Sequence, residues 1–510
     1  MPLVFANSDP STGYRQARLV RAGKLRKLAA KIYTDELTAP AEDIIRRHRY
    51  EISARFYPEA VISFRTALEG GSVSPTNRFH LSLPRPTISN RPLPGLEIRV
   101  WPGPAAQPED SSITAGEGRI FMAGRARALL ENLLPARARG PAGEAKTLSR
   151  AKLENWLERQ IRLHGETELP RLLEEARAVA TRLAWSDAFA ELERIVADLQ
   201  GRGEPGRLHS PLARARAAGE PYDPERCTLF SAVQARLAAE RFPEIPAAPA
   251  AERENRAFWE SYFSNYIEGT KFTVEEAQSI VFAADPKKIT QQRPKDAHDI
   301  LETYRLIIDD NICREAPADP KGLFDVLKRR HARMMASRPD VEPGVFKRRP
   351  NQVGSKTFVA PELVPGTLSR AWPMVRELTD PVARALLAHF VLAEIHPFTD
   401  GNGRISRLGL NAELDAARRM RLVVPTSLRH DYLTVLDALT RGGNPEPYVA
   451  FGHRLLRLCA EIPHDSFAQA HEYFLKIGAL DETSALGINL AAVASPAAFG
   501  GIGRRPVEGA

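Results

Sequence analysis

Cysteine is almost missing from this chain. Its 510 residues hold three, Cys227, Cys313 and Cys459, too few and too far apart for a disulfide framework or a cysteine-based metal site. No run of about eighteen apolar residues occurs, which excludes a membrane-spanning helix. The opening Met-Pro-Leu-Val-Phe stretch lacks the basic-then-apolar design of an export signal. Internal repeats are missing as well. These absences together point to a cytoplasmic protein with reduced thiols and no membrane partner. Nothing else in the composition is extreme. Hydrophobic residues make up 43% and charged residues 26%, ordinary for a folded chain with room for about two to four domains. The net charge of +8 suits either acidic partners and nucleic acid or plain solubility.

The chemistry concentrates in His396–Arg407, H-P-F-T-D-G-N-G-R-I-S-R. Gly401, Asn402 and Gly403 allow a sharp turn whose backbone N–H groups converge into an anion-binding nest, strongest where a helix begins. Arg404 and Arg407 follow three apart, on one face of that helix, and give two guanidinium forks suited to a polyphosphate. Asp400 is a hard oxygen ligand for Mg²⁺. His396 titrates near neutrality and suits a general base. A base, a metal ligand, a nest and two arginines within twelve residues read as nucleotidyl or phosphoryl transfer.

The same stretch resembles the motif of the Fic family, H-P-F-x-[DE]-G-N-G-R-x-x-R, at every fixed position. The resemblance implies a mainly α fold over residues 251–475, a helical core with a small β-hairpin flap. It implies a protein adenylyltransferase that moves AMP from ATP to a Ser, Thr or Tyr hydroxyl of a target protein. Arg404 and Arg407 would hold the β- and γ-phosphates and Asn402 would support the α-phosphate.

A second stretch precedes it. Phe258, Trp259, Tyr262, Phe263, Tyr266 and Ile267 form the apolar stripe of a helix over 251–269, and Gly269 sits where a left-handed cap belongs. Glu268 then lies at the helix end that disfavours an acid. The run from Ser264 through Glu268 to Gly269, S-N-Y-I-E-G, is similar to the inhibitory motif of the same family, [ST]-x-x-x-E-[GN]. That implies autoinhibition: Glu268 pairs with Arg407 and occupies the γ-phosphate seat. Thr273 and Glu276 have the spacing of a capping box for the next helix.

Between the two stretches, N-Q-V-G-S-K-T-F-V-A-P has short extended arms around Gly354. It resembles the family's flap, which pairs edge-on with an extended target segment, with Thr357 on the return arm and Phe358 clamping the incoming side chain. Tyr432–Thr440 resembles the segment that walls the nucleobase, although Thr440 stands where the family often has Asn. His331 reads as a packing or surface residue, and His389 as a buried hydrogen-bonding one.

The N-terminal part is less sharply marked. From Arg15 to Lys31 there are seven basic residues and no acid, in a helix over Tyr14–Arg21 followed by a hairpin. That is the outline of a winged helix reading duplex DNA, or equally of a solvated basic face. Strand-like runs at Ala60–Arg65, Arg78–Leu83 and Leu96–Trp101, with a helix after Gly118, give an α/β region. Residues 148–200 are helical by periodicity. Residues 1–200 thus resemble AbiEi-type antitoxin and regulator domains. Residues 201–250 read as a linker with one helix, and 476–510 as a flexible tail.

The expected ligands are ATP and Mg²⁺. The expected partners are a target protein with an acceptor hydroxyl, DNA at the basic segment, and further copies of the chain. Three alternatives stand beside the transferase: removal of AMP at the same site, a kinase-like branch in which lysine replaces the second glycine of the nest, and a DNA-binding regulator whose Fic domain senses nucleotide. Gly403 argues against the kinase. An intact His396 and Asp400 argue against a pure sensor.

Overall fold

A computed structural model of the chain describes residues 3–6, 10–135, 145–282, 293–309, 312, 314–463 and 466–482. It divides into two units, Met1–Gly219 and Glu220–Ala510.

In the first unit the Pro10–Arg21 helix is followed by a hairpin, as the sequence predicts. Strands β1 (Leu3–Phe5), β2 (Arg26–Ala29) and β3 (Ile32–Thr34) form an antiparallel sheet in the order β1-β3-β2. Arg15, Arg18, Arg21, Lys24, Lys27 and Lys31 all face solvent. A six-stranded mixed sheet follows, made of β4 (Val61–Ile62), β5 (Arg78–Leu83), β6 (Ser89–Leu93), β7 (Leu96–Pro102), β8 (Ser111–Ala115) and β9 (Gly118–Met122), in the order β6-β7-β5-β4-β9-β8. Leu96, Ile98 and Val100 of β7 are buried and alternate with less buried neighbours, the period-two pattern of a half-covered strand. Strands β6 and β8 were not expected from the sequence. Both are sheet edges and mostly polar, and Pro92 in β6 is tolerated only at an edge. The helices Arg150–His164, Glu168–Leu183 and Ser186–Leu199 share a core with Leu153, Leu157, Leu172 and Leu192.

The stretch read as a linker over 201–250 is more ordered than that. Ser210 caps a Pro211–Ala217 helix, and Ala213 lies in the core of the first unit. Asp223 caps a Pro224–Ala238 helix whose Phe230, Val233 and Leu237 are fully buried in the core of the second. Three apolar side chains on one helical face outweigh the surrounding Ala, Pro and Arg composition.

The second unit is helical apart from one hairpin, β10 (Gln352–Val353) with β11 (Lys356–Thr357). Its centre is the Pro381–Ile395 helix, apolar on nearly every face and therefore buried all round. Asp380 starts it, its Oδ1 accepting from the backbone N–H groups of Val382 and Ala383. The next helix, Asn402–Ala416, packs along it. The two axes come close at Gly409, where a Cβ would lie 2.7 Å from Leu392 Cδ1. Residues 396–401 connect the two helices, so the functional motif is the turn between the most tightly packed pair in the unit. Part of the stretch read as a tail, 476–510, is described. Ala479 is buried and its carbonyl accepts from Ser427 N–H at 3.1 Å, while 483–510 fall outside the described residues. No described helix is long and apolar enough to cross a membrane. Cys227 and Cys459 are free thiols, and Cys313 lies outside the described residues.

Candidate active site

His396 ends the Pro381–Ile395 helix in the left-handed conformation, φ 56°, a region a non-glycine residue visits at some cost. That conformation turns the ring back over the helix end, where Nδ1–H donates to Ala393 O at 3.0 Å. The bond fixes the tautomer and leaves Nε2 with its lone pair. Burial is the largest influence on the ring, and the ammonium groups of Lys347 and Lys356 add to it. The Ala393 bond and Glu268 oppose them, and the net result is a pKa of about 4. His396 is therefore neutral at physiological pH. Phe358 lies flat on it, ring centroids 3.7 Å apart and planes within 10°.

Gly401 adopts φ 75° and opens the Asn402–Ala416 helix. The first-turn N–H groups of Asn402, Gly403 and Arg404 have no partner within the helix, the geometry of a nest. A Cβ at Gly401 would sit 3.0 Å from Met334 and Met335, so the glycine also lets the turn rest on the Pro320–Met334 helix.

Asn402 differs from expectation. Its Oδ1 accepts from Phe398 N–H and its Nδ2 donates to Phe398 O, both at 2.8 Å, and it is 1% exposed. The amide is spent closing the loop, so Asn402 offers an anion its backbone N–H and not its side chain. Phe398 fills the space beneath, stacked on His331 at 3.8 Å. His331 Nδ1 accepts from Gly344 N–H, and Nε2–H donates to Asp400 O at 3.0 Å. Burial pushes this imidazole down to about 4 and keeps it neutral. It holds the loop in place, a role the sequence left undefined.

Arg404 also departs from the simple picture. Its Nη1 donates to Asp299 Oδ2 at 2.8 Å, with both side chains buried, and Arg338 donates to the same carboxylate. Asn265 Oδ1 lies 3.3 Å from Nη1. Arg404 is thus oriented by a buried carboxylate that no motif announces. Arg407 is held by the Arg253–Ile267 helix. Nε donates to Ser264 Oγ at 3.0 Å, Nη2 to Ser264 O at 2.9 Å, and Nη2 to Glu268 Oε1 at 2.6 Å. Burial pushes the Glu268 carboxyl up, but the charge and hydrogen bond of Arg407, with help from Arg404 and His396, hold it below its usual value. Glu268 caps its helix and Gly269 follows at φ 97°, as the sequence predicts; Thr273 and Glu276 form the capping box. Glycine at position 403 leaves room for the carboxylate where it stands: a Cβ there would overlap Glu268 Oε1, which would have to shift.

Tyr432 is buried and takes part in a chain of hydrogen bonds. Arg407 Nη1 lies 3.5 Å from the Tyr432 hydroxyl, which bonds His389 Nε2 at 2.7 Å; His389 Nδ1 bonds Tyr448 Oη at 2.8 Å, and Tyr448 donates to Leu386 O. Tyr432, read from the sequence as part of a nucleobase wall, stands behind Arg407 in this arrangement. Thr440 is likewise committed, its Oγ1 within 2.8 Å of Glu394 Oε2 and of Lys356 Nζ.

Those contacts belong to the hairpin. Gly354 turns it at φ 58°, and Thr357 pairs with Gln352. Lys356 Nζ bonds buried Glu394 at 2.8 Å, and Arg226 bonds both Glu394, at 2.6 Å, and Thr357 O, at 3.0 Å. At the hairpin base Lys347 brackets the histidine. Its N–H donates to Pro397 O and its Nζ to Ile395 O and to Asn351 Oδ1, while Asn351 Nδ2 donates to Phe398 O. Burial brings the Lys347 ammonium down to about 7. Lys347, Asn351, Glu394 and Arg226 carry no motif signal. Only Glu394, a charged residue between Ala393 and Ile395 in an apolar helix, leaves a trace in the sequence.

Asp400 is exposed at the mouth of the loop, and its Oδ1 accepts from Gly401 N–H at 2.6 Å. Among the described residues no cluster of three ligating side chains exists. A single open carboxylate still fits Mg²⁺, which ordinarily takes one or two carboxylates together with phosphate oxygens and water.

Residues 324–414 match the model of the Fic/DOC family. The chain is 30% identical over 260 residues to a protein adenylyltransferase Fic of Drosophila erecta, covering 48% of this chain and 50% of that one. It is 29% identical over 260 residues to the protein of the same name in Drosophila melanogaster, with the same coverage. The chain spans about half the length of these curated relatives. Among solved structures, a Fic domain containing signaling protein from Bacteroides thetaiotaomicron matches at 20% identity and TM-score 0.34, over 49% of this chain and 91% of that one. Fic-1 (residues 134–508) from C. elegans matches at 20% identity and TM-score 0.34, over 69% and 97%.

Proposed function

We propose that the chain, whose residues 324–414 match the Fic/DOC family model, is a protein adenylyltransferase that moves AMP from ATP to a hydroxyl of a target protein and is held back by Glu268. The observation that carries this reading is the neutral His396 with Nε2 left unprotonated at the entry to the nest. The triphosphate lies against the N–H groups of Asn402, Gly403 and Arg404, with Arg407 as the fork for its outer phosphates. The target hydroxyl attacks the α-phosphorus, its proton passes to His396 Nε2, and the bond to the bridging oxygen breaks to release pyrophosphate. Asp400 would hold Mg²⁺, which supplies charge neutralisation on the phosphates. The hairpin with Gly354, Thr357 and Phe358 presents an edge for an extended target segment.

Glu268 puts a carboxylate on the guanidinium that the outer phosphates need. Repulsion then turns the triphosphate out of line. Removal of AMP by the same site would require Glu268 to orient a water; its Oε1 is bonded to Arg407. Gly403 gives no support to the kinase-like reading.

Incubation with ATP labelled at the α- or the γ-phosphate tests the class of reaction. Protein-bound label from the α position alone is expected; label from the γ position alone would establish a kinase. A second outcome concerns pH. With His396 at about 4, the acid limb of the pH–rate profile should lie below pH 5. Phe358→Ala opens the ring to water, removes part of the burial that depresses it, and should move that limb up toward the ordinary value near 6.5. An unchanged limb would mean that Phe358 does not set the base.

A further inference from the structure

The left-handed backbone of His396 costs energy in a histidine and persists where its surroundings hold it. The hold comes from the segment before the hairpin. Ile395 ends its helix, so its carbonyl has no N–H partner within that helix. Lys347 Nζ donates to it at 3.3 Å, and Lys347 N–H donates to Pro397 O at 2.9 Å. One lysine thus ties down the residue before the base and the residue after it. Asn351 carries the brace one position further. Its Nδ2 donates to Phe398 O at 2.9 Å, and its Oδ1 accepts from Lys347 Nζ at 2.7 Å.

A loop brace alone would not need a charge, because a buried ammonium is costly where a neutral donor would serve. Lys347 is 3% exposed, and both oxygens that Nζ meets are neutral. Burial brings the ammonium down to about 7, with no carboxylate opposing it. What favours the charge is its place at the C-terminal, negative end of the Pro381–Ile395 helix. Lys347 Nζ also lies 5.9 Å from the centre of the Phe358 ring, which stacks on His396. Lys347 and Lys356 disfavour a proton on His396, and Glu268 favours one. Lys356 is paired with Glu394, whereas among the described residues Lys347 has no acid partner.

We propose that Lys347 is the positioning residue of His396, holding the backbone on both sides of the base and placing a positive charge near its ring. The role rests on the adenylyl-transfer reading, in which His396 is the base.

Two variants of the full chain test it. Lys347→Met keeps the length of the side chain and removes its charge and its donors; Lys347→Arg keeps both. Nitrogen NMR of histidine-labelled protein needs no turnover, and the His396 signal is identified by its loss in His396→Ala. His396 should titrate higher in Lys347→Met than in wild type, by about half a pH unit or more, and stay near wild type in Lys347→Arg. In steady-state transfer of α-labelled AMP, Lys347→Met should lower kcat about a hundredfold. The KM for ATP should change little, because Lys347 bonds residues 351, 395 and 397 and not the nest. Lys347→Arg should recover much of the rate. Asn351→Ala loosens the brace and keeps the charge, so it should lower kcat without moving the titration; it also serves if the melting temperature shows Lys347→Met to be unfolded. An unmoved His396 titration in folded Lys347→Met would overturn the proposal. So would equal losses in the Met and Arg variants, or wild-type kcat in Lys347→Met or Asn351→Ala. If no protein transfers AMP, wild type and Glu268→Gly included, the transferase reading fails, and the histidine titration still decides whether Lys347 acts on His396.

Discussion

Glu268→Gly should raise incorporation of α-labelled AMP into the chain itself and into target proteins by about a hundredfold, the scale on which a misplacement of about 1 Å acts. The reason lies at one guanidinium. Arg407 Nη2 is 2.6 Å from Glu268 Oε1, so the donor that would meet an outer phosphate already meets a carboxylate. Removing the carboxylate frees it, while Ser264 still holds Nε and keeps the fork aimed. The fold should change little, since Gly269 and not Glu268 supplies the left-handed turn that ends the helix. Arg407→Ala should lose activity, and adding Glu268→Gly to it should restore nothing, because both side chains act on one seat. The four proteins can be compared in a single labelling series. Activity of Glu268→Gly equal to wild type across several targets would remove Glu268 from any inhibitory role.

The other large effect is expected at His396. His396→Ala should lower transfer by about two to four orders of magnitude, the usual worth of a general base, while ATP still binds. The side chain makes one hydrogen bond, to Ala393 O, and stacks on Phe358, so its removal leaves the nest and both arginines in place. The backbone is a separate matter, because φ of 56° is no easier for alanine than for histidine. Melting temperature measured beside the rate separates the two effects. Wild-type transfer by a folded His396→Ala would rule out the base assignment.

The motif turn was legible because its parts are local: six residues join two helices, and their types and spacing stand in one string. Glu268 was legible for a different reason, as an acid at the wrong end of a helix with a capping glycine after it. What orients the arginines was not. Asp299 reaches Arg404 across 105 residues, and nothing in the helix around it distinguishes a buried carboxylate from a surface one. Asn402 shows a subtler gap. Its position in the motif suggested a ligand contact, yet both ends of its amide close on Phe398, a loop closure that the string of residues does not show. Edge strands β6 and β8 escaped because a polar edge lacks the apolar alternation that marked β7. The helix at Pro224–Ala238 was seen but its burial was not, since Ala, Pro and Arg around it look like linker until Phe230, Val233 and Leu237 are set on one face.

Gly403 links two properties that could otherwise vary separately. The space that a side chain there would fill is the space that Glu268 Oε1 occupies, at 2.1 Å from a built Cβ. A side chain at this position therefore requires the Glu268 carboxylate end to shift from where it meets Arg407. On the proposed reading, the phosphate nest and its restraint share one side chain's worth of space, so a substitution at this position disturbs both at once.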